Sequence, residues 1–435
     1  MKTQRNWAGN YEYSAAALHA PTSLEQVQEL VAGNGTVRAL GSRHSFNSIA
    51  DTGGVLLSLE DMDPGLSLDR EARQVRVGGG VKYGVLAQYL QQAGFALHNL
   101  ASLPHISVAG AVATATHGSG NANGNLSTAV AAMEIVTADG SLRTVSRNDP
   151  DFNGMVVSLG ALGIVTSLTL DVEPHYDIRQ DVFLDLPFAE VLANFDAVTS
   201  SAYSVSLFTD WRGDAVKQAW FKSRTTEDAA HWGQDTYFGG TAAAADVHPL
   251  PGMSAENCTP QRGVPGGWSD RLSHFRMGFT PSRGEELQSE YLLPRQHAPA
   301  AIEAMRALQD RISPLLIVAE IRTMAADDLW LSANYGRDGI GLHFTWKPLQ
   351  DQVEAVLPLM EEALAPFSAR PHWGKLYTTD AAALEGLYPR MEDFRRLART
   401  MDPEGKFSNA YLQDQIFGAG AGAASLPATP AGSSA

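Results

Sequence analysis

ASLPHISVAGAVATATHGSG, residues 101–120, contains two histidines and three glycines among small, hydroxylated and apolar residues, with no Asp, Glu, Lys or Arg. A run of this kind suits a loop whose backbone N–H groups converge on an anion, because no long side chain stands in the way. GSRHSFNS (41–48), Arg43 apart, and VSLGALGIVTS (157–167) have the same character. Diphosphate is the usual anion for such loops in enzymes. None of the three contains the G-K-[ST] of a P-loop, and RVGGGVKYG (76–84) lacks the G-x-G-x-x-G spacing of a dinucleotide fingerprint. The residues alone leave two readings open: a nucleotide-type cofactor held without a standard Rossmann site, or ordinary turn-rich loops.

Short strands and helices surround these loops, so residues 1–175 read as an α+β domain. TVRAL, VLLSL (55–59), QVRVGGG (74–80), MEIVTADG (133–140) and GIVTSLTLDVEP (163–174) are strand candidates, most of them ended by Gly, Asp-Gly or Pro. Ser23 with Gln26 forms a capping-box signature ahead of LEQVQELVAG, and Gly33 marks that helix's end. In YGVLAQYLQQAG (83–94), Val85, Leu86, Tyr89 and Leu90 share one helical face. After His175 the strands lengthen: YSVSLFTDW, LLIVAEIRTM and IGLHFTW, with helix candidates HAPAAIEAMRALQDRI and DQVEAVLPLMEEALAPF. These predict a second domain over 176–371 with a large mixed or antiparallel sheet flanked by helices. Residues 372–418, which include the helical stretch EGLYPRMEDFRRLARTM, form a C-terminal segment returning to the first domain. The small, uncharged, Pro/Gly/Ser-rich residues 419–435 predict a disordered tail.

Composition narrows the function. The chain has 435 residues, 44% of them hydrophobic, and a formal net charge of -16. That charge, with no basic stripe, argues against a nucleic-acid partner. No apolar run approaches the ~20 residues of a membrane span, and MKTQRNWAGN carries no apolar leader, so a cytoplasmic location is expected. The single cysteine, Cys258, reads as an inert buried thiol. No ligand spacing suggests a metal.

Two strands carry polar residues at period two. Glu320 and Arg322 project from one face while Ile317, Ala319 and Ile321 take the other; His343 and Thr345 face away from Leu342, Phe344 and Trp346. By itself this pattern also fits a solvated sheet face.

GSRHSFN, LPHISVAGAVATATHGSG, TADGS and SLGALGIVTSLTL together resemble the FAD-binding domain of the vanillyl-alcohol-oxidase-type (PCMH) flavin oxidoreductases. The resemblance implies FAD covalently bound through His44, joined by a ring nitrogen to the flavin 8α-methyl. It also implies a cofactor site of Gly41, Ser42, Arg43, Ser45, Phe46, Ser102, Ser107, Val108, Ala109, Gly110, Thr114, Ala115, Thr116, His117, Gly163, Ile164, His372 and Asn409. A neutral imidazole is nucleophilic, and a tether retains the cofactor. The family often has Gly immediately before this histidine, where this chain has Arg43. Some members attach flavin through His and Cys; with Cys258 far along the chain, single attachment is expected.

LQSEYL (287–292), AEIRT (319–323), LHFTW (342–346), HWGK (372–375) and DPEGKFSN narrow the likeness to the aldonolactone and alditol oxidases, with the alditol (xylitol/sorbitol) oxidases nearest. The implied reaction oxidises the terminal carbon of a linear alditol such as xylitol, sorbitol or glycerol, with O2 reduced to H2O2. Oxidising a carbinol develops charge on its oxygen, and Arg322 and Lys375 are the cationic candidates to stabilise it. Glu320 is a candidate to hold Arg322, bind a hydroxyl or share in proton removal, and His343 completes the catalytic set. Ser102, Gln288, His343 and Thr345, with Glu320, Arg322 and Lys375, suit a chain of hydroxyls. Three alternatives remain: an aldonolactone (sugar 1,4-lactone) oxidase, a dehydrogenase if packing at Ala101 hinders O2, and a flavin carrier without turnover. The expected partners are the polyol and O2, with no membrane partner, and the chain is expected to be a monomer.

Overall fold

The computed structural model describes residues 4–250, 252–276, 278 and 286–418. The tail expected to be disordered, 419–435, lies outside them.

The N-terminal half holds two small sheets and a two-stranded pair, Phe95–Ala96 with Glu173–Pro174. Strands Ala17–His19, Val55–Ser58 and Val37–Leu40 form a parallel sheet with Val55–Ser58 central. Five antiparallel strands form the second, with Ile164–Asp171 between Gln74–Gly78 and Val130–Val136. The helix Leu24–Gly33 begins as its capping signature predicts, Ser23 accepting from the Gln26 amide at 3.4 Å. The glutamine side chain, however, reaches past Ser23 and accepts from the Thr22 amide at 2.8 Å. In the helix Tyr83–Ala93 the buried side is Tyr83, Leu86, Ala87 and Leu90, while Val85 is exposed. At 100° per residue Val85 falls beside that stripe, which corrects the sequence-based face.

The second half is dominated by a ten-stranded sheet. Strands Asp177–Pro187, Ala215–Arg224, Ser204–Thr209, Leu316–Met324, Gly339–Trp346 and Leu287–Pro294 run in that spatial order, each antiparallel to its neighbours. One face packs Leu207, Ile321, Leu342, Phe344 and Trp346 against helices Ala298–Ala307 and Gln350–Leu364 in one core. The other face turns toward the glycine-rich loops. A bulge between Leu316 and Val318 lies within the Leu316–Met324 strand. Leu316 therefore joins the core, and Ile317, expected there, is only half-buried. Two of the three long helical candidates are interrupted: HAPAAIEAMRALQDRI at Leu308, and the C-terminal stretch between helices Ala381–Leu387 and Met391–Met401, where Pro389 intervenes; DQVEAVLPLMEEALAPF forms one helix, Gln350–Leu364.

Candidate active site

Three sets of hydrogen bonds to backbone carbonyls bring the glycine-rich loops against the sheet. Phe46 N donates to Gly374 O at 2.8 Å, and Asn47 Nδ2 donates to Trp373 O and Lys375 O, both at 2.9 Å, so GSRHSFN is stapled to HWGK. Ser273 Oγ donates to Ala101 O at 3.1 Å, fastening the 101–120 loop to the cap. Gly120 N donates to Thr323 O at 2.8 Å, next to Arg322. Beneath them, buried Arg38 donates to Ile49 O and Phe407 O at 2.6 Å and to Leu159 O at 2.8 Å, joining the first and third loops to the C-terminal segment.

One long cavity runs between loops and sheet. Gly41, Ser42, Arg43, His44, Ser45 and Phe46 line it from the first loop, and Ser102, Ser107, Ala109, Gly110, Thr114, Thr116 and His117 from the second. Gly163 and His372 line it as well. Ser42 and Ser107 exchange hydrogen bonds, N to Oγ, at 3.0 and 3.3 Å. A Cβ at Gly41 or Gly110 would lie 2.5 or 2.7 Å from Ser107 Oγ, so both glycines are needed for this approach. Arg43 adopts φ 65, a conformation glycine takes freely, which gives a physical reason for glycine at this point in related loops.

Four predicted cofactor residues do not line the cavity. Val108 begins a short helix, Val108–Ala113, and packs with Ala115 in the first core, and Ile164 packs in another. Their neighbours' periodicity turns these apolar side chains inward. Asn409 instead supports the first loop from behind, donating to Ser48 O, Ile49 O and Asp51 O at 3.2, 3.1 and 2.8 Å.

His44 has the surroundings of a flavin attachment point. Its ring stacks on Trp7 at 5.1 Å between centroids, and neither ring nitrogen makes a hydrogen bond among the described residues although both are buried. Burial holds the imidazole down at about 4, so it is neutral at physiological pH. A buried, neutral, unpartnered imidazole facing a cavity is costly unless a bound group takes up a nitrogen.

Across the cavity the sheet register arranges the polar residues in rows. Glu290, His343 and Glu320 are cross-strand neighbours, flanked on one side by Gln288, Thr345 and Val318 and on the other by Leu292, Gly341 and Arg322. Arg322 Nη2 donates to Glu290 Oε1 at 2.8 Å, and Lys375 Nζ to Glu290 Oε2 at 2.6 Å. Both cations also approach His343 Nδ1, at 3.3 and 3.2 Å. Because Arg and Lys only donate, Nδ1 accepts and His343 Nε2–H donates to Thr345 Oγ1 at 3.3 Å. Burial, and then the Lys375 charge, hold His343 well below the usual histidine range and so neutral.

Burial pushes both carboxylates up, but neighbouring charges and hydrogen bonds override it. Lys375, His117 and Arg322 hold Glu290 well below the ordinary range, and Arg322 and His274 do the same for Glu320. Two carboxylates and two cations thus form a buried network with no net charge. Arg322 Nη1 has only a 3.4 Å bond to Ser102 Oγ and retains a donor for the cavity, while the buried Nε lies 3.6 Å from Glu320 Oε2. Lys375 has three protons and two acceptors, Glu290 and His343. Gln288 donates to Glu286 at 2.8 Å and lines the same cavity.

The substrate-side residues read from sequence, Ser102, Gln288, Glu320, Arg322, His343, Thr345 and Lys375, all line this cavity. Sequence reasoning missed Glu290, the charge hub, although LQSEYL contained the signal: it lies two residues from Gln288 and so shares its face. His274 and Lys222 were also missed; His274 lies in a loop with no periodic signal. Glu290→Ala leaves two buried cations without their shared carboxylate and should cost about 3 kcal/mol or more, read as a lower unfolding midpoint in calorimetry. An unchanged midpoint would show that the network is not a stabilising unit.

Comparison with known proteins agrees with this layout. Residues 15–146 match the FAD binding domain family, and residues 278–415 the D-arabinono-1,4-lactone oxidase family. An alditol oxidase of Streptomyces sp. is 50% identical over 421 residues, covering 95% of this chain and 99% of its own. An L-gulono-1,4-lactone dehydrogenase of Mycobacterium tuberculosis is 28% identical, covering 94% and 97%. Cholesterol oxidase from B. sterolicum shares the fold at a TM-score of 0.78 with 15% identity, covering 95% and 96% of the two chains. Among the described residues, no helix is long and apolar enough to cross a membrane.

Proposed function

The chain belongs to the alditol oxidase family of FAD-dependent oxidoreductases, and from that premise we propose that it oxidises the terminal primary alcohol of linear alditols, xylitol, sorbitol and glycerol, to the aldose. O2 is the acceptor and H2O2 the second product. The observation that carries this reading is the Glu290–His343–Glu320 row with Arg322 and Lys375, facing His44 across one cavity. When bound, FAD supplies the hydride acceptor. His44 would hold FAD, with the first loop and residues 102–117 lining its cradle, and Asn409 supports that loop.

The chain's own residues do the rest. Arg322 Nη1 and the remaining Lys375 proton donate to the reacting oxygen, where negative charge grows as the hydroxyl gives up its proton to the Glu320 carboxylate. Because they are prealigned by carboxylates, little reorganisation is needed. Ser102, Gln288 and Thr345 bond the further hydroxyls, and a substrate lacking those hydroxyls leaves buried donors unpaired. Glu320 positions Arg322, and His343, neutral with Nδ1 occupied, keeps the two cations apart. The catalytic unit comprises residues 1–175, a cap of 176–371 and the returning segment 372–418, acting as a cytoplasmic monomer with the polyol and O2 as its partners.

The test is flavin bleaching under argon with xylitol, sorbitol or L-gulono-1,4-lactone, followed by peroxide measurement on admitting air. Bleaching by polyols at concentrations where the lactone is inert, with peroxide then released, is expected. Preference for the lactone would assign the aldonolactone reading instead, and slow reoxidation in air would make the chain a dehydrogenase.

A further inference from the structure

Glu320 is held by more than Arg322. His274 Nε2 lies 2.8 Å from Glu320 Oε1, with the two side chains nearly fully buried. The opposite ring nitrogen, Nδ1, lies 3.3 Å from Lys222 Nζ, which also donates to Leu272 O at 2.6 Å and Ser273 O at 3.0 Å. Lys222 is 1% exposed and stands on the Ala215–Arg224 strand, with the Ser204–Thr209 strand between it and the strand bearing Glu320. The His274 ring is wedged edge-on between Phe208 and Trp220, with centroids 5.5 and 5.2 Å away, so it cannot turn without displacing them.

We propose that Lys222 and His274 form a positioning relay that fixes the Glu320 carboxylate, and through it Arg322, for the oxidation. Proton counting supports it. An ammonium has three N–H groups, and here it finds three acceptors: two carbonyl oxygens and Nδ1. With Nδ1 accepting, the ring's one proton sits on Nε2 and points at Glu320. A neutral Lys222 would spend two protons on the carbonyls and take a proton from Nδ1, leaving the Nε2 lone pair against a carboxylate. The cation therefore selects the tautomer that bonds Glu320, as an orienting partner does for a metal-bound or catalytic histidine. Neither residue reaches the oxidised carbon: Lys222 is absent from the cavity lining, and His274 meets it beside Glu320. The inference rests on the polyol-oxidising reading for its kinetic arm and stands apart from it in its spectroscopic arm.

Nitrogen NMR of [15N]histidine-labelled holoenzyme, with His274→Gln identifying the resonance among the twelve histidines, reads the tautomer directly. Burial pulls Lys222 down to about 7, so spectra belong near pH 6, with the ammonium in place. Nε2–H is expected in the native protein and lost in Lys222→Met. Nδ1–H in the native protein would overturn the relay whatever the substrate. Kinetically, His274→Leu should slow xylitol-driven flavin reduction on the order of 10-fold with KM little changed. His274→Gln, whose side-chain amide replaces the Nε2 donor, should recover most of it. Equal loss in both variants at full flavin content would reduce His274 to packing and overturn the proposal. Native protein that xylitol cannot bleach would instead sink the substrate reading and leave the NMR result standing.

Discussion

Arg322→Ala is expected to lower turnover on xylitol by on the order of 10²-fold or more, the scale of losing one preorganised donor to developing charge. The reason goes beyond one missing donor. Arg322 is 5% exposed, between Glu290 at 1% and Glu320 at 6%. Without it the buried network carries an extra negative charge just where the oxidised oxygen becomes more negative. Arg322→Lys should rescue little, because one ammonium at the end of a flexible stem cannot bond Glu290, lie beside Glu320 and still offer a donor to substrate in the planar fork's fixed geometry. Lys375→Ala should show a loss of the same order, since Lys375 neutralises the other Glu290 oxygen at 2.6 Å. The measurement is the anaerobic rate of flavin reduction, normalised to bound flavin, so that a variant binding less cofactor is not mistaken for a slow one. Near-native rates in both variants would remove the cations from the mechanism.

His44→Ala should release all of the flavin into the supernatant after acid precipitation, whereas the native pellet stays yellow and fluorescent. The expectation rests on two ring nitrogens buried without partners, an imidazole kept neutral at about 4 by burial, and stacking on Trp7 that fixes the ring plane. The variant should still bind FAD, because the Ser42–Ser107 exchange and the Arg38 clamp that shape the cradle do not involve the imidazole. Free flavin in the native supernatant would refute the tether while leaving cofactor binding intact. Trp7→Ala, which removes the stacking partner alone, should lower the tethered fraction without abolishing it, as measured by pellet absorbance.

Several parts of this arrangement were legible in the residues. Period-two alternation put Glu320 with Arg322 and His343 with Thr345, because a pleated strand offers its faces in strict turn. The same rule failed at Ile317, where a bulge adds a residue and shifts the phase. Capping chemistry placed the start of Leu24–Gly33, yet Val85 was put on the wrong side of its helix, since several apolar residues there compete for one stripe. The family likeness indicated the loops that line the cavity, but not that Val108, Ala115 and Ile164 turn into the core.

Local chemistry therefore accounts for the elements, their faces and the loops free of bulky side chains, all of which depend on neighbours within a few positions. It says nothing of which strand lies beside which. Glu290 meets Arg322, Lys375 and His117 across separations of 32, 85 and 173 residues, and Lys222 meets His274 across 52. Those encounters follow from strand order and register, which minimise exposed apolar surface and unpaired backbone over the whole chain at once. The protonation states follow in turn, because a buried charge is stable only beside the partners that the completed sheet brings to it.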